Sequence, residues 1–97
     1  MLKQLLGFMM SDLVTVITPM YNSGKYIEET LNSVISQTYE NWELFIIDDG
    51  SSDNCVELVS DFKKNDDRIK LIINEENQGA AISIKIGIRE ANGRYIA

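Results

Sequence analysis

Three short apolar runs alternate along the chain with segments whose apolar residues recur at helical spacing. The runs cover residues 13–18, 42–47 and 68–73, and β-branched and aromatic side chains dominate them. They show little of the alternation expected of a strand with one wet face, which is typical of strands buried in a parallel sheet. Strands that alternate with helices form right-handed βαβ units. The pattern predicts an α/β fold, with a Rossmann-like, mostly parallel sheet flanked by helices.

Three helices are predicted between the strands. The first covers about residues 26–37, and the second begins at Asn54, where Glu57 completes a capping-box pattern. In the third helix Ile82 and Ile86 lie off the main apolar face, so we expect this helix to be covered by protein on more than one side. The residues of that main face are Ala80, Ala81, Ile84, Ile88 and Ala91.

The end of the third helix is predicted from a glycine. Gly93 is expected to end this helix as a C-terminal glycine. Residues 94–97 then open a predicted fourth strand.

Composition excludes several classes of function. A chain of 97 residues is at most one small domain. Nine basic against fifteen acidic residues give a formal charge of −6 without a basic cluster, which argues against nucleic acid as a partner. Histidine is absent and Cys55 is the single cysteine, so acid, base or metal chemistry must depend on carboxylates.

Residues 1–12 are interpreted as an extension that precedes a domain at residues 13–97. Its apolar run is interrupted by Lys3 and Gln4 and is too short for a secretory or transmembrane segment. Two interpretations remain open. One is a loosely packed extension, and the other is a short amphipathic segment that covers a partner surface or touches lipid.

Functional residues are expected beyond the carboxyl ends of the strands, where ligands bind in sheets of this class. Asp48 and Asp49 follow the second strand, and Gly50 permits a tight turn there. A carboxylate at a strand end can accept a hydrogen bond from a ribose hydroxyl or a base ring N–H. It can equally cap the following turn or helix. Both roles stay open, with one aspartate capping and the other binding. Asp49 is expected to lie on the outer edge of the sheet and not in the core.

The other two loops supply further candidates. Tyr21 can stack on a flat base or pack within a turn, and Asn22 tolerates the left-handed backbone conformation. The segment 77–79 enters the third helix, and free N–H groups at such a start suit a phosphate, although a simple loop is the alternative.

The ordered segments at residues 14–22, 26–39, 42–53, 77–79 and 87–96 together resemble glycosyltransferase family 2. The resemblance implies the N-terminal half of a GT-A fold, which binds a nucleotide diphosphate-sugar, with UDP favoured. It implies that Asp49 contacts the base and that Pro19 and Tyr21 line the nucleoside pocket. Lys85 is the candidate for a diphosphate contact where many members carry Arg-Asn. The full set of candidate nucleotide-binding residues is Pro19, Tyr21, Asn22, Asp48, Asp49, Gly79 and Lys85.

The resemblance also implies a longer parent enzyme. Family members place an Asp-x-Asp metal site directly after the strand that begins here at Tyr95, and a general base later still. Mg²⁺ or Mn²⁺ is therefore expected in the parent, which would transfer a sugar to a glycan or lipid-linked acceptor in polysaccharide biosynthesis. The 97 residues are expected to be an inactive, nucleotide-binding fragment without catalytic or metal-binding residues.

An alternative function stays open beside this interpretation, which also implies a location in the cell. The alternative is a non-catalytic binding or self-association module, because the open edges of an incomplete sheet favour pairing with another chain. The expected location is the cytoplasm, either free or peripheral at the inner membrane face, since members of the family often use cytosolic sugar donors.

Overall fold

A four-stranded parallel sheet with helices on both faces forms the protein, which confirms the predicted α/β class. The computed structural model describes residues 12–97, and residues 1–11 of the expected extension lie outside the described residues. The elements, in chain order, are β1 Val14–Met20, α1 Ile27–Ser36, β2 Trp42–Asp48, α2 Cys55–Asn65, β3 Ile69–Ile73, α3 Ala80–Glu90 and β4 Tyr95–Ile96.

The strands are ordered β3-β2-β1-β4, and every pair is parallel. The chain moves outward from β1 to β3 and then crosses back to β4. Right-handed crossovers therefore place α1 and α2 on one face of the sheet and α3 on the other. The direction reverses between β1 and β4, and sheets of this kind bind ligands at such a switch point.

Strand β2 forms the centre of the structure, because all seven of its residues are buried. On the face of α1 and α2 it contributes Trp42, Leu44 and Ile46 to the hydrophobic core. The other buried members of that core are Met20, Ile27, Leu31, Cys55, Val59 and Ile69. A strand held this firmly gives a fixed end from which a functional loop can start.

Strand β1 runs two residues beyond its predicted end and includes Pro19. The N–H of Ile17 donates to the carbonyl of Ala97 at 3.1 Å. Backbone groups two residues apart in a strand point to the same side, so the backbone nitrogen of residue 19 also points to the side on which β4 lies. The pairing of β4 with β1 stops at Thr15. Because no described strand lies beside residue 19 on that side, proline removes no ladder bond there.

The predicted packing face of α3 is wrong. Its buried residues are Ser83 and Gly87, whereas Ile82, Ile84 and Ile88 are each at least 40% exposed. A Cβ at position 87 would lie 2.6 Å from Cγ2 of Ile17, so only a glycine lets the helix approach the sheet this closely. Small residues, rather than apolar ones, mark the face that packs.

Two further predictions about helix ends are wrong. The side chain of Asn54 makes no cap, and Asp53 instead accepts from the N–H of Cys55 at 3.0 Å. Helix α3 ends at Glu90, and Gly93 does not have a positive φ. Glycine is needed at position 93 because a Cβ there would lie 2.6 Å from the backbone nitrogen of Thr15.

A buried carboxylate that the sequence analysis missed holds the loop before β4 against β1 and β2. Glu43, 5% exposed, accepts from the hydroxyl of Thr15 at 2.7 Å and from the N–H and side-chain amide of Asn92 at 2.7 and 3.1 Å. Burial acts to raise the pKa of Glu43, but these hydrogen bonds and the charge of Lys70 hold it below its ordinary value. Glu43 therefore joins β1, β2 and the loop that leads into β4.

Replacement of Glu43 by glutamine is expected to lower the free energy of unfolding by about 1–3 kcal/mol at pH 7, because one buried donor loses its acceptor. A depressed folded pKa contributes stability above the unfolded pKa, and that contribution is lost as the pH falls through the folded pKa. The difference in the free energy of unfolding between wild type and Glu43→Gln should therefore become smaller on acidification below about pH 4.

Urea titrations of both proteins at pH 7 and pH 3.5 measure this difference. Glu75→Gln, at an exposed loop position, is the control, and an equal difference at both pH values would contradict the assignment.

Candidate functional site

Three loops leave the carboxyl ends of β1, β2 and β3 at the same edge of the sheet. We name them loop A (residues 21–26), loop B (residues 49–54) and loop C (residues 74–79). The N–H of Asp49 donates to the carbonyl of Met20, and the N–H of Asn74 donates to the carbonyl of Asp48, both at 2.8 Å. These bonds continue the ladders past the strand ends. The three loops therefore start side by side.

Asp49 joins loop B to loop C. Its Oδ1 accepts from the N–H of Gln78 at 2.7 Å and from the amide of Asn74 at 3.2 Å, and its Oδ2 accepts from the N–H of Gly79 at 2.8 Å. The bond from Gln78 is the largest influence on the pKa of Asp49, and with those from Gly79 and Asn74 it outweighs burial and holds the pKa below its usual value. The carboxylate is therefore charged at neutral pH.

The expectation that Asp49 lies on the outer edge, clear of the packed interior, is wrong, because the residue is 4% exposed. It accepts hydrogen bonds from loop C, which leads into α3, and so it does not cap the turn or helix that follows it. A carboxylate offers about four acceptor positions. Residues 12–97 supply three donors, of which only one reaches Oδ2. Among the described residues, Oδ2 thus keeps one acceptor position that no donor uses.

Gly79 has the positive φ of +95° that favours glycine. Its N–H, considered above for a phosphate, donates to Asp49 instead. Gly50 likewise has a positive φ, of +83°, which confirms the tight turn expected there. A Cβ on Gly50 would lie 3.4 Å from the backbone nitrogen of Asn77, so loops B and C are in close contact.

Asp48 supports loop B from the inside. It is 1% exposed, and its Oδ2 accepts from the N–H of Ser51 at 3.2 Å. The thiol of Cys55 lies 4.0 Å from its Oδ1, and burial, followed by the neighbouring Asp53, raises the pKa of that thiol. Asp48 therefore caps the turn that follows it, which is the capping role that the sequence left open for one of the two aspartates.

Asn22 joins loop A to loop B. Its φ of +48° confirms the predicted left-handed conformation. Its N–H donates to the hydroxyl of Ser51 at 2.8 Å, and its Oδ1 accepts from the N–H groups of Ser52 and Asp53 at 2.8 and 3.3 Å. A second connection runs from the N–H of Gly24 to Oδ2 of Asp53 at 2.9 Å.

The remaining candidates differ in position. Tyr21 is 52% exposed, and it directly follows Met20, whose carbonyl accepts from Asp49. Pro19 is partly buried at the end of β1. Lys85 is exposed and lies about 200° around α3 from the buried Ser83, on the outward side of the helix. The structure thus brings every candidate except Lys85 to the neighbourhood of the three loops.

Sequence analysis missed the polar residues that support this site from below. The amide of Asn74, 7% exposed, donates to Asp49 and also to the hydroxyl of Ser83, each at 3.2 Å. Ser83 is fully buried in α3. A serine among the isoleucines of an apolar helix was the available signal, because a buried hydroxyl needs a partner.

No metal site lies within the described part of the chain. Residues 12–97 contain no group of three or more histidine, cysteine, aspartate or glutamate side chains placed to hold an ion. The described residues therefore do not fit a divalent cation by themselves. No helix among those same residues is long and apolar enough to span a membrane.

Comparison with known proteins identifies this arrangement. The sequence profile described as glycosyl transferase family 2 matches residues 15–97. The chain belongs to glycosyl transferase family 2. The match includes β1, loops A, B and C and the approach to β4, so the resemblance noted from the sequence segments is confirmed for nearly all of the described residues.

Relatives in this family are longer than the chain. It is 46% identical over 85 residues to the Escherichia coli protein named UDP-Glc:alpha-D-GlcNAc-diphosphoundecaprenol beta-1,3-glucosyltransferase WfgD. The match covers 88% of this chain and 33% of that protein. The chain thus spans about a third of the length of such curated relatives.

Solved structures of glycosyltransferases share the fold. The mannosyltransferase PcManGT from Pyrobaculum calidifontis, solved with GDP-Man and Mn²⁺, superposes with a TM-score of 0.82 at 28% identity. TarS of S. aureus, residues 1–349 with UDP-GlcNAc, gives a TM-score of 0.80 at 30% identity. The superpositions cover 88% and 86% of this chain, but only 26% and 24% of those structures.

Removal of the Asp49 carboxylate is expected to release loop C. In Asp49→Ala the N–H groups of Gln78 and Gly79 lose their acceptor, so their amide exchange should accelerate at least tenfold, whereas amides within β2 change little. Hydrogen exchange followed by NMR measures both sets. Asp67→Ala, which removes an exposed carboxylate, is the matched control. Unchanged exchange at Gln78 and Gly79 would contradict the anchoring role.

Proposed function

We propose that residues 13–97 bind the donor nucleotide of a glycosyltransferase that transfers a sugar from a nucleotide diphosphate-sugar to a glycan or lipid-linked acceptor. The observation that carries the proposal is the charged carboxylate of Asp49, whose Oδ2 accepts one hydrogen bond from the described residues and which lies beside the start of a loop that bears an exposed tyrosine. Membership of glycosyl transferase family 2 supports the same assignment.

The proposed contacts divide between two side chains. Oδ2 of Asp49 accepts a hydrogen bond from a ring N–H of the base, while the ring of Tyr21 stacks on the base face. Pro19 supplies apolar surface next to them. Uracil and guanine carry a ring N–H that can donate to a carboxylate, whereas cytosine and adenine present an unprotonated ring nitrogen. The site should therefore discriminate against the last two bases, and we favour UDP as the nucleotide.

The chain's own residues bind and orient the nucleoside. The divalent cation proposed for the longer enzyme, Mg²⁺ or Mn²⁺, neutralises charge on a diphosphate leaving group when it is bound. PcManGT was solved with Mn²⁺, which supports this proposal. The described residues do not fit such an ion by themselves. The group that deprotonates the acceptor is also assigned outside these residues, and the 97-residue chain alone is expected to be inactive.

The proposed acceptor is supported by a relative, and the proposed location goes with it. The printed name of WfgD specifies a diphosphoundecaprenol-linked acceptor. We propose a lipid-linked acceptor for the longer enzyme as well, with a role in polysaccharide biosynthesis. The nucleotide donor is then used on the cytoplasmic side, at the inner face of the membrane.

Tyr21→Ala is expected to weaken UDP binding by about five- to a hundredfold, because one aromatic stack on a base contributes about 1–3 kcal/mol. Tyr21→Phe keeps the ring and should bind UDP within about twofold of wild type on the same argument. NMR titration with UDP, and with CDP as the mismatched base, measures the affinities. Binding of UDP should not require Mn²⁺ in this chain.

The matched control is Tyr95→Ala, which removes a half-exposed tyrosine from β4 opposite the first residue of β1, at the other end of the sheet. It should leave UDP binding unchanged. Equal affinity of wild type and Tyr21→Ala for UDP, or equal affinity of wild type for UDP and CDP, would reject the site.

A self-association module is the second candidate function. Ile84 and Ile88 of α3 and Ile96 of β4 are exposed, and β4 is an edge strand within the described sheet. Apolar surface and an open edge both favour pairing with another chain. A chain that forms dimers in sedimentation experiments and binds no UDP in the titration above would support this candidate over the first.

A further inference from the structure

We infer that Asn22 is a positioning residue, which holds Tyr21 in place for the base by fastening loop A to loop B. The inference rests on the proposed function, since it concerns how the nucleoside pocket is formed. It gives Asn22 a role different from the direct contact considered from the sequence.

The side-chain oxygen of Asn22 is fully used within the protein. Oδ1 accepts from the backbone N–H groups of two successive residues, Ser52 and Asp53, at 2.8 and 3.3 Å, and lies 3.4 Å from the hydroxyl of Ser52. An amide oxygen has two lone pairs. No acceptor capacity on this atom is left for a ribose or a base.

The backbone of Asn22 is fixed in the same place. Its N–H donates to the hydroxyl of Ser51 at 2.8 Å, and its φ of +48° lies in the left-handed region that few residues with side chains adopt. Asparagine, aspartate and glycine tolerate that region best. Asn22 therefore requires both a particular backbone conformation and a side-chain acceptor.

Tyr21 lies between two fixed points. On one side the carbonyl of Met20 accepts from Asp49, and on the other Asn22 is bound to loop B. A third attachment is the hydrogen bond from the N–H of Gly24 to Asp53. A Cβ at position 24 would collide with Oδ1 of Asn54, so the residue there must be small. The ring itself is 52% exposed. An exposed ring on a fixed backbone binds a flat ligand with little ordering cost.

Three substitutions separate the two requirements at position 22. Asn22→Asp keeps the acceptor and the tolerance of positive φ. Asn22→Gly keeps the backbone conformation and removes the acceptor, and Asn22→Ala loses both. We expect wild type and Asn22→Asp to agree within about twofold in uridine affinity, and Asn22→Gly to bind about five- to tenfold more weakly. Asn22→Ala should bind more weakly again.

The probes are uridine and UDP, each titrated by NMR, because uridine carries no phosphate charge. A direct contact with phosphate would weaken UDP binding, but not uridine binding, in Asn22→Asp. Uridine affinity of Asn22→Gly equal to that of wild type would overturn the inference, and so would a loss in Asn22→Asp as large as that in Asn22→Ala. Thermal melts of all four proteins show whether the fold is retained.

A readout that needs no ligand distinguishes failure of the inference from failure of the proposed function. In chains labelled with 3-fluorotyrosine, the ¹⁹F resonance of Tyr21, assigned with Tyr21→Phe, should be alike in wild type and Asn22→Asp. It should shift and narrow in Asn22→Gly and Asn22→Ala as the ring gains freedom. Binding absent from wild type rejects the proposed function alone. One common Tyr21 resonance in all four proteins rejects the positioning role.

Discussion

The hydrogen bonds from Gln78 and Gly79 to the carboxylate of Asp49 are the interaction on which the rest of the site depends. Asp49 directly follows the fully buried strand β2, so the packing of that strand fixes where its carboxylate lies. Through it, a loop that follows β3 is held against a loop that follows β2. Asn22 then adds the loop that follows β1. Three loops separated widely in sequence are thus joined by hydrogen bonds between their own residues.

Two buried carboxylates, Glu43 and Asp49, lie near the two ends of β2. Glu43, close to its start, is satisfied by Thr15 and Asn92, and Asp49, after its last residue, is satisfied mainly by backbone N–H groups. Hydrogen bonds keep the pKa of both carboxylates low despite burial, and the charge of Lys70 adds to this effect at Glu43. One carboxylate places the approach to β4, and the other places the loops, so that the same strand organises both ends of the sheet.

Sequence periodicity predicted the order of strands and helices correctly, because the burial of whole strands leaves a strong local pattern. The packing face of α3 was mispredicted, since apolar spacing gives no weight to Ser83 and Gly87, which touch the sheet because they are small. Gly93 was noticed for the wrong reason, as its requirement comes from Thr15, 78 residues away. The pairing of Asp49 with Gly79 is equally non-local and leaves no trace in either segment alone.

Nucleotide recognition is the central claim, and the nuclear Overhauser spectrum of the isotopically labelled chain with UDP tests it most directly. The account predicts cross-peaks between the uracil H5 and H6 protons and the ring of Tyr21, together with a perturbed carboxyl carbon of Asp49. Cross-peaks confined to the exposed isoleucines of α3, with the Tyr21 ring and the Asp49 carboxyl unaffected, would contradict it.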